Sequence, residues 1–243
     1  MPASTEPQAP PSDQNGGLRH RTSVPELRRD VLLLVVALLA LAVWEWSGAD
    51  LWLIRHYGTS DGFALRNHPL FSKVLHDGGR LLAWCMIALL AWDAWVLRWT
   101  GPSRRLRWLT ITLVLLATVV ISQFKQWSAT SCPWEMLEFG GHWPYVPHWL
   151  LQVSDGGPGH CFPSGHASAA FAFLVAWAVW RPFNALVARR MLVLVLAVGG
   201  LFAWVQMARG AHYMSHSMWT AWLCWVMALI VGRLLVWRKQ AIA

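Results

Sequence analysis

The chain has 243 residues, of which 56% are hydrophobic and only 13% charged, against about 25% charged in a soluble domain. So few charges cannot cover that much apolar surface in water, and nineteen tryptophans fit a chain that sits at membrane–water interfaces. A soluble enzyme, a disordered regulator and a small disulfide scaffold are excluded, because four cysteines without any CxxC make no disulfide framework.

Residues 1–30 differ from the rest. Met1 to Gly17 is rich in Pro, Ser, Gln and Gly and has no apolar run, so it reads as a disordered tail. Arg19, Arg21, Arg28 and Arg29 follow, then an apolar run from Val31 to Trp46. That run is too long for a signal peptide and lacks a small-residue cleavage site, so it is taken as an uncleaved first span. Five further apolar segments run roughly Leu81–Leu97, Trp108–Phe124, Ala167–Trp180, Met191–Ala208 and Met218–Trp237. Several fall short of the ~20 residues of a typical span. They are continuous rather than alternating, which rules against a β-barrel. The expectation is an all-α protein: a tail over 1–30 and a bundle of six transmembrane helices over 31–239.

An even number of spans puts both termini on one side. Of the twenty Lys and Arg residues, fourteen fall on the terminus side and six on the other, which places the termini in the cytoplasm by the positive-inside rule. The net charge of +8 is thus a topology signal rather than a nucleic-acid footprint. Nine of the ten histidines, all but His20, lie on the opposite, outer side. Imidazoles titrate near neutral pH, so their concentration there points to proton transfer or ligation at the outer face.

Three outer clusters carry the chemistry. Lys125 ends the third span, ahead of Ser131-Cys132-Pro133-Trp134-Glu135. His160-Cys161-Phe162-Pro163-Ser164-Gly165-His166 opens the fourth, offering a hydroxyl, backbone N–H groups and an imidazole at the positive end of a helix, a setting that suits an anion. Arg209-Gly210-Ala211-His212-Tyr213-Met214-Ser215-His216 joins the fifth and sixth spans, and His212 and His216 share a face if helical. Taken singly, each has a plain structural reading: a snorkelling lysine, a helix cap, two interfacial histidines.

Together these residues resemble the type 2 phosphatidic acid phosphatase (PAP2) superfamily, relatives of the vanadium haloperoxidases, whose pattern is K-x6-R-P, P-S-G-H and S-R-x5-H-x3-D. Pro163-Ser164-Gly165-His166 matches outright, and Lys125, Pro133 and His212 follow in order. Three positions depart from the pattern: Cys132 stands for the first arginine, Gln206 for the second, and His216 for the aspartate. The resemblance implies a lipid-phosphate phosphatase with its site at the outer face of an inner or plasma membrane, and no cofactor or metal.

It implies His212 as the nucleophile that forms a phosphohistidine, and His166 as general acid and then base. Lys125, Ser164, Gly165, Arg209 and Arg80 would bind the phosphate oxygens. His216 would orient His212 in place of the aspartate, and Cys132 and Cys161, beside one pocket, would form a disulfide. Glu135, Glu138 and Asp155 are further candidates to orient a histidine, and Asp93 is expected to pair with Arg98. A phosphotransferase at the same site, a non-catalytic lipid-phosphate binder or transporter, and a histidine metal site are the competing readings. The lipid and the oligomeric state are left open.

Overall fold

Eight helices make up the described part of the molecule, which in this computed structural model comprises residues 24–150 and 153–241. The long ones are α1 (Val24–Trp46), α3 (Gly78–Val96), α4 (Arg104–Gln126), α7 (Ala185–Ala208) and α8 (Met214–Ala241). The short ones are α2 (Ala49–Ile54), α5 (Gly165–Phe171) and α6 (Leu174–Trp180). A π-helical stretch, Leu70–Asp77, runs directly into α3. A two-residue hairpin, β1 (Gly58–Thr59) and β2 (Gly62–Phe63), is the only sheet among the described residues.

Four of these helical segments are long and apolar enough to cross a membrane: Leu70–Val96, Arg104–Gln126, Ala185–Ala208 and Met214–Leu234. The expected fourth span is shorter, an apolar unit of Gly165–Trp180. The expected first span, α1, opens with Arg28, Arg29 and Asp30 and closes with Glu45. Charge rather than helix length therefore separates it from the other four. Large side chains such as Leu32, Leu39, Leu81, Leu116, Val193 and Ile230 are exposed around the bundle. An exterior this apolar is that of a protein embedded in lipid.

Boundaries differ from the hydropathy reading. α1 begins at Val24, so the last residues of the expected tail are its first turns, while residues 1–23 lie outside the described residues. Asp30, buried in α1, pairs with Arg181 at 2.9 Å and Arg233 at 3.1 Å, tying α1 to the far ends of α6 and α8. Asp93 does not pair with Arg98. It meets Arg107 of α4, whose guanidinium also lies 4.9 Å over the Trp180 ring.

The short helices α5 and α6 occupy the middle of the bundle, against α3, α4, α7 and α8. Their side chains are small where backbones must come close: Ala167, Ala172, Ala176 and Ala178 are buried, facing Cys224 and Ala228 of α8. Lipid offers no hydrophobic drive between helices, so close van der Waals packing of this kind holds them together. The arrangement plants the N-terminus of α5 at one end of the bundle, among the ends of α4, α7 and α8.

Candidate active site

Ser164 caps α5. Its Oγ accepts the Ala167 N–H at 3.4 Å, its own N–H donates to the His216 carbonyl at 3.1 Å, and Thr220 Oγ1 donates to its carbonyl at 3.0 Å. The residue is fully buried and locked to α8. A Cβ at Gly165 would lie 3.6 Å from Lys125 Cδ, so the lysine stem runs along the glycine and brings its ammonium to the mouth of α5. The charge of Lys125 is felt at His212.

His212 sits in the turn between α7 and α8. Gly210 enters it with φ +74, a left-handed backbone open to glycine at no steric cost, and a Cβ there would meet Phe63 at 2.3 Å. The Gln206 carbonyl then accepts both Ala211 N–H (2.8 Å) and His212 N–H (3.3 Å). Gln206, at the place of the second motif arginine, is thus buried and structural. Burial, assisted by the Lys125 charge, pushes the His212 imidazole down to about 3, so the ring is neutral at physiological pH.

The Nδ1 atoms of His212 and His216 lie 3.4 Å apart, and His216 Nδ1 is also 3.1 Å from the Cys161 carbonyl. A carbonyl can only accept, so His216 Nδ1 carries the proton and cannot at the same time accept from His212. The Cys161 carbonyl also lies within reach of the His212 ring, so it, rather than His216 Nδ1, can accept from that ring. His212 Nδ1 faces Cys161 Sγ at 3.5 Å and His216 Nδ1 at 3.4 Å, so Nε2, across the ring, is the nitrogen left for a substrate. Cys161 is joined to Cys132 (S–S 2.12 Å), and both sulfurs border His212. Sulfurs spent in a disulfide are not thiolate ligands, so this trio is not a metal site.

His166 stands on the other side. Its ring stacks on His76 (4.5 Å, 15°) and tilts against Phe202 (4.7 Å), and its buried Nε2 has no partner. Gly79 makes room for this: a Cβ there would strike Phe202 at 2.7 Å and stand 3.3 Å from His166 Nε2. His76 is held by Asp77 at 2.9 Å. The charges of Arg80 and Arg209 both act on His166, so the structure brings both expected phosphate ligands to this ring. Arg209 is anchored by Nε donating to the Arg66 carbonyl at 3.1 Å, leaving a buried Nη1 unpartnered.

The acidic candidates are engaged elsewhere. Glu138 pairs with Arg55 (2.5 Å), and Glu135 faces Arg66 (3.9 Å), itself stacked over Trp134. Asp155 accepts from Ser131 N–H (2.6 Å) and Gly157 N–H (2.9 Å), bracing the loop beside Cys132. Sequence reasoning missed His76 as a partner of His166, and also His148, which meets His216 from behind, with Glu45 beside it. No spacing within one motif could have joined residues so far apart.

The site as built offers a neutral buried imidazole, a second imidazole with a free nitrogen, and cations from Lys125, Arg80 and Arg209. That set suits transfer of a phosphoryl group, whose charge the cations can neutralise. Searches of curated proteins and of solved structures found no match. A family model described as the PAP2 superfamily matches residues 105–240, more than half of the chain and every motif position from Lys125 to His216. The chain therefore belongs to the PAP2 superfamily.

Proposed function

We propose that this protein is a membrane lipid-phosphate phosphatase that works through a phosphohistidine. The observation carrying the reading is the meeting of His212, His166 and Lys125 at one end of an apolar helical bundle, where a lipid headgroup would lie.

In the first step His212 Nε2 attacks phosphorus and the bond to the lipid oxygen breaks. Lys125, Arg80, Arg209 and the Gly165 N–H hold the phosphoryl oxygens, and the Ser164 hydroxyl can donate to one of them. Burial, ahead of the His76, Arg209 and Arg80 charges, pushes His166 down to about 3; a phosphate dianion beside the ring offsets those cations and favours the imidazolium, which gives its proton to the departing alkoxide or phosphate. In the second step His166, now neutral, takes a proton from water as that water attacks phosphorus, releasing phosphate and restoring His212. A burial-depressed imidazole such as His212 suits the first step, since only the neutral ring is nucleophilic.

Positively charged ends on the terminus side support a periplasmic or extracellular site and cytoplasmic termini. The test is phosphate release by purified protein from phosphatidic acid, phosphatidylglycerol phosphate, polyprenyl diphosphate and lipid A phosphate. Turnover of at least one, with an acid-labile phosphoenzyme lost in His212→Ala, is expected. Absence of any turnover, or a phosphoenzyme that survives in His212→Ala, would overturn the reading. Phosphate appearing on a second lipid instead of in solution would identify a transferase.

A further inference from the structure

The superfamily pattern sets a carboxylate four residues after the nucleophile, and this chain has His216 there, 2% exposed. An acid comes up behind it, through a second imidazole, from far away in sequence. Glu45, near the end of α1, places Oε1 3.0 Å from His148 Nε2, with the two side chains only 8% and 7% exposed. The same Oε1 accepts the indole N–H of Trp219, on α8, at 2.9 Å. The carboxyl oxygen lies off the axis of the His148 ring nitrogen, which has no other polar partner. Their contact is one of proximity and charge. An acid and an imidazole held away from water are costly unless each compensates the other, so packing alone does not account for the pair.

His148 also faces His216. Its ring meets His216 edge-on (5.0 Å, 86°) and lies flat on Phe162 (4.0 Å, 16°). Phe162 shares a peptide with Cys161, whose carbonyl takes the His216 Nδ1–H. One imidazole therefore fixes both the ring that stands at the aspartate's position and the peptide that orients His212. Glu45 fixes that imidazole in turn. The groups facing His216 are His148, His212 and Lys125, with the Tyr213 ring at 5.4 Å. Those around Glu45 are His148, Trp219, Asp50 and Tyr145.

We propose that Glu45 and His148 form a buried positioning pair for the catalytic histidines, supplied by elements that the motif does not contain, in place of the missing aspartate. Glu45 lies outside the matched residues 105–240, so nothing in the family pattern points to it. The proposal rests on the reading of His212 as nucleophile, and it adds a residue from α1 to that unit.

The test uses the full-length protein in detergent, with Glu45→Gln, Glu45→Asp, His148→Phe and the double variant Glu45→Gln/His148→Phe. The Phe variant keeps the stack on Phe162 and removes the ring nitrogens. Glu45→Gln should lower kcat roughly tenfold or more while KM stays within about threefold, the signature of lost support in the transition state. Its pH profile should shift as well, because the carboxylate beside His148 is gone while that ring still meets His216. Glu45→Asp should restore part of kcat, and the double variant should be no slower than His148→Phe, since residues acting as one unit are not additive.

Unchanged kcat and pH profile in Glu45→Gln, or multiplicative losses in the double variant, would overturn the proposal. Ring-nitrogen NMR shifts of 15N-histidine protein give a readout that needs no substrate. Glu45→Gln should move the signals of His148 and His216, and unmoved signals refute the pair. Wild-type protein without turnover would sink the phosphatase reading, and the NMR result would still decide the pairing.

Discussion

Breaking the Cys132–Cys161 bond should cost both stability and rate. The two cysteines are 29 residues apart, and the described residues between them hold only two three-residue 3-10 turns, Pro133–Glu135 and Leu137–Phe139. A detergent-unfolded chain keeps much of its long helices but has little helix to keep in this loop. The chain-entropy relation for closing a loop of that length gives about 3.6 kcal/mol of stabilisation. Cys132→Ala/Cys161→Ala should therefore unfold earlier than wild type by about that free energy, measured by denaturant titration in one detergent. Because Cys161 also offers the carbonyl that holds His216 at 3.1 Å, kcat should fall in the folded double variant as well. Intact-mass analysis after alkylation checks the premise. Alkylation of both thiols without reductant, or a stability loss below about 1 kcal/mol, would refute the reasoning.

His212→Ala and His166→Ala should each abolish turnover of lipid substrates while the proteins stay folded. His166→Ala alone should still release the phenol from an aryl phosphate, whose leaving group needs no proton, and a dead enzyme on that substrate would remove His166 as general acid. Arg209→Ala should lower kcat/KM by about 100-fold, as loss of one anion-stabilising donor does, and by more than Arg66→Ala, which keeps the backbone carbonyl that Arg209 uses; equal losses measured side by side would move the role to Arg80. Part of the pH dependence of stability, alongside a His166 contribution of the same sign, comes from His212, whose native value near 3 lies below the unfolded 6.5. Between those values the unfolded chain binds a proton that the native one does not, so stability should fall as pH drops through this window, by about 1.4 kcal/mol per unit from this residue alone. Unfolding titrations from pH 7 to 4 should show a shallower loss for His212→Gln, and identical slopes would contradict the burial of the ring.

The features legible in the sequence were local. Pro163-Ser164-Gly165-His166 fits a helix start because a proline, a capping hydroxyl and a glycine in a row suit that geometry, and α5 begins at Gly165. Apolar runs located the long helices, but not their ends. Val24–Asp30 reads as polar tail because hydropathy counts Asp30 as a charge and cannot see Arg181 and Arg233 neutralising it from other helices. The same blindness gave Asp93 the neighbour Arg98, when the fold supplies Arg107 from α4. Long-range pairs of this sort carry no periodicity. Glu45 behind His148 and His76 against His166 arise from helix packing, and a lone acid beside two tryptophans reads as an ordinary interfacial residue until the fold is known.

The π-helical stretch Leu70–Asp77 fixes the angular register of the whole helix beyond it. A π turn holds more residues than an α turn, so each residue inserted into an α-helix rotates the downstream residues by about 100°. His76 and Arg80, on either side of the junction at Gly78, both act on His166. A single deletion among residues 70–75 would let the segment relax to α-helix, the tighter winding taking up most of the rotation of the missing residue. Arg80 would then keep its side of the helix, whereas the same deletion compensated nowhere would turn it by about 100°. Relatives that differ here by one residue would be expected to have traded the π turn for an α turn and to keep a cation at the position of Arg80.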